Sequence, residues 1–337
     1  MHPETPFFLF GMGDREKFMY KSGALYSLPE HKLVFDAGTV RDEQILPDQY
    51  TVILDNGRVV IREDAHGVHL NDRCLSASAL TLPDFSNNQH PELLRILHHE
   101  ILINIIDGKP LPNFFVYGKS WYRDSAMMAM ALQLTSNIHL LKPWIMSLDQ
   151  MYDRNNGGIE ESDNIGQALY LISTVSDASH PLVAPLIAEA RRRCVDGVIE
   201  GMTDFGRHPV YQTKWLKFGL DSLGIDSAWA RIPRVSDSYA SLFWMAYRDE
   251  HSDDSDKDAA MHELYPYLWW AKEHFYEHQL IPDTLQIRYP LTWECQASQA
   301  NYNGIRPLSE NYANAKFSAP HTWHAAEMFL RLIERKA

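Results

Sequence analysis

Cysteine is nearly absent from this sequence. Its 337 residues include three, Cys74, Cys194 and Cys295, far apart and without a CxxC pair, so neither a disulfide framework nor a zinc ribbon is available. A reducing compartment, the cytoplasm, is the expected location. Long apolar runs are missing as well, since none approaches the roughly 18 to 20 residues that cross a bilayer, and a membrane is not an expected partner. Cations are outnumbered, 31 Lys and Arg against 44 Asp and Glu for a net charge of −13. Phosphate backbones are held by clustered cations, so nucleic acid is not an expected partner either. There is no GxSxG, no GxxxxGK[ST] and no GxGxxG after a strand, which removes the footholds of a serine hydrolase, a P-loop enzyme or a dinucleotide fold. Residues 1–13 carry an apolar patch at 6–10 but neither a basic n-region nor a small-residue cleavage site, unlike a signal peptide. A periplasmic or secreted location would need a leader removed ahead of Met1.

Aromatic residues, by contrast, are plentiful: 9 Trp, 16 Tyr and 14 Phe. Such side chains build either a packed core or platforms for sugar rings, and taken alone they favour the core. From residue 25 to about 82, short β-type runs alternate with turn residues. Thr51 to Leu54, Asp55-Asn56-Gly57 and Arg58 to Arg62 form a hairpin pattern. The polar stretch 83–91 (PDFSNNQHP) suits a boundary, giving an expected β-rich unit over 1–88 and a helical domain over 89–337.

Past that boundary the apolar period becomes helical. Segments 93–106, 125–134, 165–175 and 239–247 are apolar on most sides, whereas 139–151, 182–199 and 259–278 are amphipathic or mixed. Helices apolar all round must be buried by other helices. A buried helix followed by an exposed one is the pattern of stacked αα-hairpins, which close into an α/α toroid with function on the loops entering the inner helices. The expected class is mainly α, an (α/α)6 toroid with a small N-terminal β unit. The acidic run 249–258 reads as a solvated loop.

Three loop segments combine carboxylates with aromatics at helix starts. Trp121-Tyr122-Arg123-Asp124 runs into the apolar helix from Ser125; its fork and carboxylate suit sugar hydroxyls and its rings suit stacking. An ordinary N-cap at Asp124 explains it equally well. In Asn155-Asn156-Gly157-Gly158-Ile159-Glu160-Glu161-Ser162-Asp163, neighbouring carboxylates on a glycine turn suit a general acid. Helix-start acidity is the plainer reading, and the loop alone leaves Glu160, Glu161 and Asp163 as candidates for the acid. Ser309-Glu310-Asn311-Tyr312 precedes Pro320-His321-Thr322-Trp323-His324 and the last apolar helix. Glu310 can thus face Glu161 as a second carboxylate, the pairing that glycosidic hydrolysis needs, with Trp293-Glu294 upstream as a competitor.

Together these segments resemble the glucoamylase-type glycoside hydrolases of family 15, within the six-hairpin glycosidases. Residues 121–126 (WYRDSA) look like that family's WxRDxA/S helix start. Gly158-Ile159-Glu160-Glu161 looks like its G-I/L-W-E acid segment, with Glu160 at the tryptophan position. Residues 309–312 with 320–324 look like its base segment. The resemblance implies an (α/α)6 barrel, inverting hydrolysis, Glu161 as acid, Glu310 as base, and Arg123 with Asp124 on the terminal sugar.

The expected function is therefore a glycosidase for a neutral oligosaccharide, its two carboxyls about 6.5 to 9.5 Å apart. Asp163, Glu294, His321 and His324 join Arg123 and Asp124 as binding candidates, and Trp121, Tyr122, Trp215, Trp293 and Trp323 are candidate ring platforms. Rivals are a lyase or epimerase moving protons with Tyr211, Tyr302, His321 or His324, and a carbohydrate-binding protein without turnover. His98-His99-Glu100 and His321-x-x-His324-x-x-Glu327 have the spacing of metal ligands on a helix face, but with no HExxH and no cysteine support neither a metal nor another cofactor is expected.

Overall fold

The computed structural model describes residues 7–55, 57–235 and 289–333. The helices expected over 239–247 and 259–278 and the acidic run 249–258 lie outside the described residues.

Strands begin earlier than the alternation suggested. β1 (Phe7–Phe10), β2 (Phe18–Lys21), β3 (Ala24–Ser27) and β4 (Lys32–Asp36) form one antiparallel sheet in chain order. β5 (Glu43–Leu46), β6 (Thr51–Leu54), β7 (Val59–Glu63), β8 (Gly67–Leu70) and β9 (Arg73–Ala77) form a second, five-stranded meander. The expected hairpin is present as β6 and β7, with Leu54 opposite Val59. β1 is buried at every position, because successive side chains leave a strand on opposite faces. Phe8 and Phe10 pack with Val52, Leu54, Ile61 and Val68 of the second sheet. Phe7 and Leu9 pack with Tyr117, Trp121, Tyr312 and Phe317 of the helical part.

The turn after β1 is tied to the second sheet. Glu63 accepts the N–H groups of Gly11 and Met12 at 3.0 and 2.7 Å and Arg15 Nη1 at 2.9 Å. Burial raises its carboxyl above the ordinary carboxylate range, against the pull of Arg15. Lys17 donates to Gly13 O at 2.6 Å and to Gly11 O, and burial lowers its ammonium to about 7.

The helices are α1 (Pro91–Ile103), α2 (Tyr122–Leu134), α3 (Lys142–Met146), α4 (Asp163–Ser173), α5 (Val183–Arg193), α6 (Pro209–Ser222), α7 (Glu310–Asn314) and α8 (Thr322–Ile333). α8 packs between α1 and α2, α2 lies against α4, and α4 against α6. This row corrects the expected architecture. The protein is a mixed sheet and helix molecule, neither mainly α nor an (α/α)6 toroid, and the family-15 glucoamylase resemblance does not extend to its fold.

The physical reason lies between the buried helices. After α1 the chain turns through Asp107-Gly108 into the strand pair β10 (Ile105–Ile106) and β11 (Lys109–Pro110). After α2 it makes a 3-10 turn over Ile138–Leu140 and the short α3, where the pattern over 139–151 promised a long helix. The pattern over 182–199 splits at Arg193 into α5 and a hairpin, β12 (Cys194–Val195) and β13 (Val198–Ile199), around Asp196-Gly197. Aspartate-glycine with positive φ at both residues is a hairpin signal, and it interrupts the outer helices that a ring of hairpins requires.

Candidate functional site

The N-terminal turn of α2 is fixed from outside. Its Tyr122 N–H donates to Asp153 Oδ2 at 2.7 Å, and the N–H of Asp153 donates to Asn164 Oδ1 of α4 at 3.1 Å. The starts of α2 and α4 are thereby joined, and Arg123 and Asp124 are held in a buried position.

Arg123 donates Nη1 to Asp204 Oδ2 at 2.9 Å and Nη2 to Glu161 Oε2 at 3.3 Å. Glu161 also accepts the backbone N–H of Asp204 at 2.6 Å and Asn156 Nδ2 at 3.3 Å, while Asn156 Nδ2 reaches Asp204 Oδ1 at 3.0 Å. Glu161 is 1% exposed. Burial raises its carboxyl above the usual 4.5, helped by the charges of Asp163 and Asp204 and opposed by Arg123. The turn Gly157-Gly158, with φ of 61° and 84°, brings the chain to this point in a conformation that glycine adopts without steric cost.

The three acid candidates separate clearly. Glu160 faces outward, paired with Arg154 and with Arg193 at 3.0 Å. Asp163 is fully buried, its oxygens taken by Thr203 Oγ1 at 2.7 Å and Gln167 Nε2 at 2.8 Å, so it braces the loop. Glu161 is the one set beside a buried guanidinium.

A second cluster adjoins this one. Glu294 Oε2 meets His321 Nε2 at 2.7 Å and accepts Tyr117 OH at 3.2 Å. Burial pushes the Glu294 carboxyl upward, but the charge and hydrogen bond of His321, the charge of His324 and the Tyr117 hydroxyl outweigh it and hold it below 4.5. Burial alone would lower His321, yet Glu294 and Asp124 raise it. Its neighbour His324, with ring centroids 4.7 Å apart, is lowered by burial to about 3.

Asp124 connects the two clusters. Burial raises it to about 6, against His321 and Arg123 and with the help of Glu294. Ser298 Oγ, four residues past Glu294, reaches Asn156 Oδ1 at 3.4 Å. Glu294 and Asp204 remain 28% and 33% exposed, so the seam is open to solvent at these two carboxylates.

The segment bearing Glu294 is anchored at its root. Glu100 of α1 accepts the N–H of Leu291, the N–H of Thr292 at 3.1 Å and Thr292 Oγ1 at 2.6 Å. Thr292 Oγ1 in turn accepts the N–H of His321 at 3.1 Å. A short strand pair, β14 (Glu294–Cys295) and β15 (Phe317–Ser318), adds a second tie.

Not every predicted residue lies here. Glu310 is on the surface, its side chain 76% exposed and 3.9 Å from Arg306, because α7 turns Tyr312 and Ala313 inward instead. Tyr122 donates its hydroxyl to Gln150 O at 2.8 Å and packs edge-on to Trp144. Trp215 is buried against Tyr170 and Phe218, and Trp293 stacks on Phe317. Trp121 lies edge-on to Tyr117. Trp323 is buried, and among the described residues its indole N–H finds no hydrogen-bond partner. The metal candidates serve the core: His98 meets Thr135 Oγ1 at 3.1 Å, and His99 stacks between Phe8 and Tyr50. Among the described residues, no group of three or more His, Cys, Asp or Glu is placed to hold a metal ion.

Asp204 is absent from the motifs the sequence offers, and Asn156 stands at the head of the glycine turn without a role of its own. The signal at Asp204 was a tight turn, Thr203-Asp204-Phe205-Gly206, too short to register as structure by periodicity. No protein-family model, no curated protein and no solved structure matches the chain.

Proposed function

We propose that this protein is a glycoside hydrolase for a neutral oligosaccharide, with Glu161 as general acid and Glu294 as the carboxylate that activates water. The observation behind this reading is that Arg123, 3.3 Å from Glu161, is followed in the chain by Asp124, whose charge acts on His321, itself 2.7 Å from Glu294; two carboxyls thus stand in adjoining clusters whose surroundings push their protonation in opposite directions. Two carboxyls kept in different protonation states by their surroundings are what a proton donor and a base require. Glu161 gives its proton to the leaving oxygen. Glu294 takes a proton from water, and His321 stabilises its anionic form before the transfer. Asp204, part-exposed, is the group available to sugar hydroxyls, while Arg123 is occupied holding Glu161 and Asp204, and Trp323 carries a buried indole N–H. With water attacking opposite the leaving group, the product anomer is inverted.

Proton NMR of a pool of neutral oligosaccharides tests the proposal. Wild type should release a new reducing end of inverted configuration, and Glu161→Gln and Glu294→Gln should each slow release by about a hundredfold to ten-thousandfold. Release by Glu294→Gln at the wild-type rate would remove Glu294 from the mechanism. A second reading rests on His321 and His324, imidazoles side by side of which one is favoured as the cation and the other held neutral. Such a pair suits the proton transfers of an epimerase or lyase, and an unsaturated or epimerised product in the same spectra would select it.

A further inference from the structure

We infer that Phe205 is a stacking platform for a sugar ring beyond the cleaved bond, so that the site takes chains of three or more units; this rests on the hydrolase reading above. Thr203 and Gly206 exchange backbone hydrogen bonds at 2.9 and 3.0 Å, leaving Asp204 and Phe205 as a two-residue turn with φ of 45° and 65°. Turns of this twist need positive φ at both central residues, and glycine is the usual second one. The chain itself follows that rule at Ser22-Gly23, Asp107-Gly108 and Asp196-Gly197, where both φ values are also positive. Phenylalanine in the left-handed region is a steric outlier. Phe205 breaks the pattern with the bulkiest kind of residue, and burial does not compensate, because it is 58% exposed.

The strain sits beside the chemistry, where unfavourable backbone is retained for function. Asp204 holds the turn rigid, its N–H on Glu161 and its carboxylate on Arg123 and Asn156. Thr203 adds a bond to Asp163. Phe205 thus directly follows the residue that binds Glu161 and Arg123, on a support that binding need not order. A flat, exposed aromatic one residue from the Asp204 carboxylate matches the C–H face of a pyranose, and Met202, 41% exposed, adds a second apolar side chain on this loop.

The test uses gluco-, manno-, xylo- and chito-oligosaccharides of two to six units with wild type, Phe205→Gly and Phe205→Trp. Phe205→Gly relieves the turn, so its Tm should rise by about 2 °C. Its ratio of kcat/KM for the hexasaccharide over the disaccharide should nevertheless fall about tenfold, while Phe205→Trp keeps the ratio. An unchanged ratio in Phe205→Gly would overturn the platform and leave the hydrolase reading standing. Failure of wild type to cleave any chain in the series would overturn both.

Discussion

Arg123 faces two carboxylates from a position that water scarcely reaches. Truncating one partner of a buried ion pair leaves the other charge uncompensated, at a cost of about 3 to 5 kcal/mol. Arg123→Met should therefore lower the urea midpoint sharply, and adding Glu161→Gln should recover a large part of the loss, a coupling that a double-mutant cycle reads directly. On the proposed mechanism the pH profile of activity follows from the same residues. Glu161, raised by burial, stays protonated to higher pH than an ordinary glutamate, so its ionisation sets the alkaline limb. Glu294, held low by His321, stays ionised to lower pH, so its protonation sets the acid limb. His321→Asn removes that cation and should move the acid limb of kcat/KM upward while the alkaline limb stays in place. A sequence reader could find Arg123, Asp124 and Glu161, because helix starts concentrate acidic and fork-shaped side chains in recognisable strings. Glu294 was visible only as a competitor to Glu310. Choosing between them depended on which face of a five-residue helix turns inward, and that is set by packing of Tyr312 against Phe7 and Phe317.

Among elements, the closest approach is between α4 and α6. A Cβ on Gly166 would stand 2.2 Å from the carbonyl carbon of Trp215, and one on Gly219 would stand 2.4 Å from Gly166 O. The two helices touch backbone to backbone, so no flexible side chain can move aside. Gly166→Ala should destabilise by about 3 kcal/mol, the upper range for overpacking, measured as a fall in Tm. Because α4 begins beside Glu161 and Asp163, the same variant should lose activity more than its stability alone would explain. The apolar period of 165–175 announced a buried helix correctly. It did not announce the partner, since a glycine within an apolar run carries no direction until the opposing backbone is known. Two aspartate-glycine turns are likewise legible in principle, but Asp107-Gly108 at the end of the 93–106 segment also suits a helix stop, and Asp196-Gly197 falls inside the helical pattern over 182–199.

At the scale of the molecule, His99 of α1 is where the parts meet, stacked on Phe8 of β1 and on Tyr50 beside β6, with Tyr289 edge-on. Burial keeps its imidazole neutral down to about 3, against 6.5 for the free side chain. As pH falls, the unfolded chain takes the proton first. Stability from this residue is whole above about 6.5 and declines below it by about 1.4 kcal/mol per pH unit. His99→Phe preserves the stack and removes the proton uptake, so the loss of unfolding free energy between about pH 7 and about pH 5 should shrink by about 2 kcal/mol in urea titrations. Among the described strands ahead of α1, β2 lies before the alternation begins, while β3 to β9 were legible in kind from alternation and turns. β1 was not, since a strand buried on both faces shows no alternation to read.

The site draws on α2, the loop before α4, the turn at 203–206, the segment at 294–298 and the start of α8. On the proposed mechanism, Glu161 leaves the ribosome well ahead of Glu294 during translation. Until α8 settles between α1 and α2, those two helices keep an apolar groove open to any chaperone or stray chain nearby. A nascent chain halted ahead of Thr322 already carries Glu161, Glu294 and His321 but lacks α8, and the docking of that one helix covers the facing sides of α1 and α2.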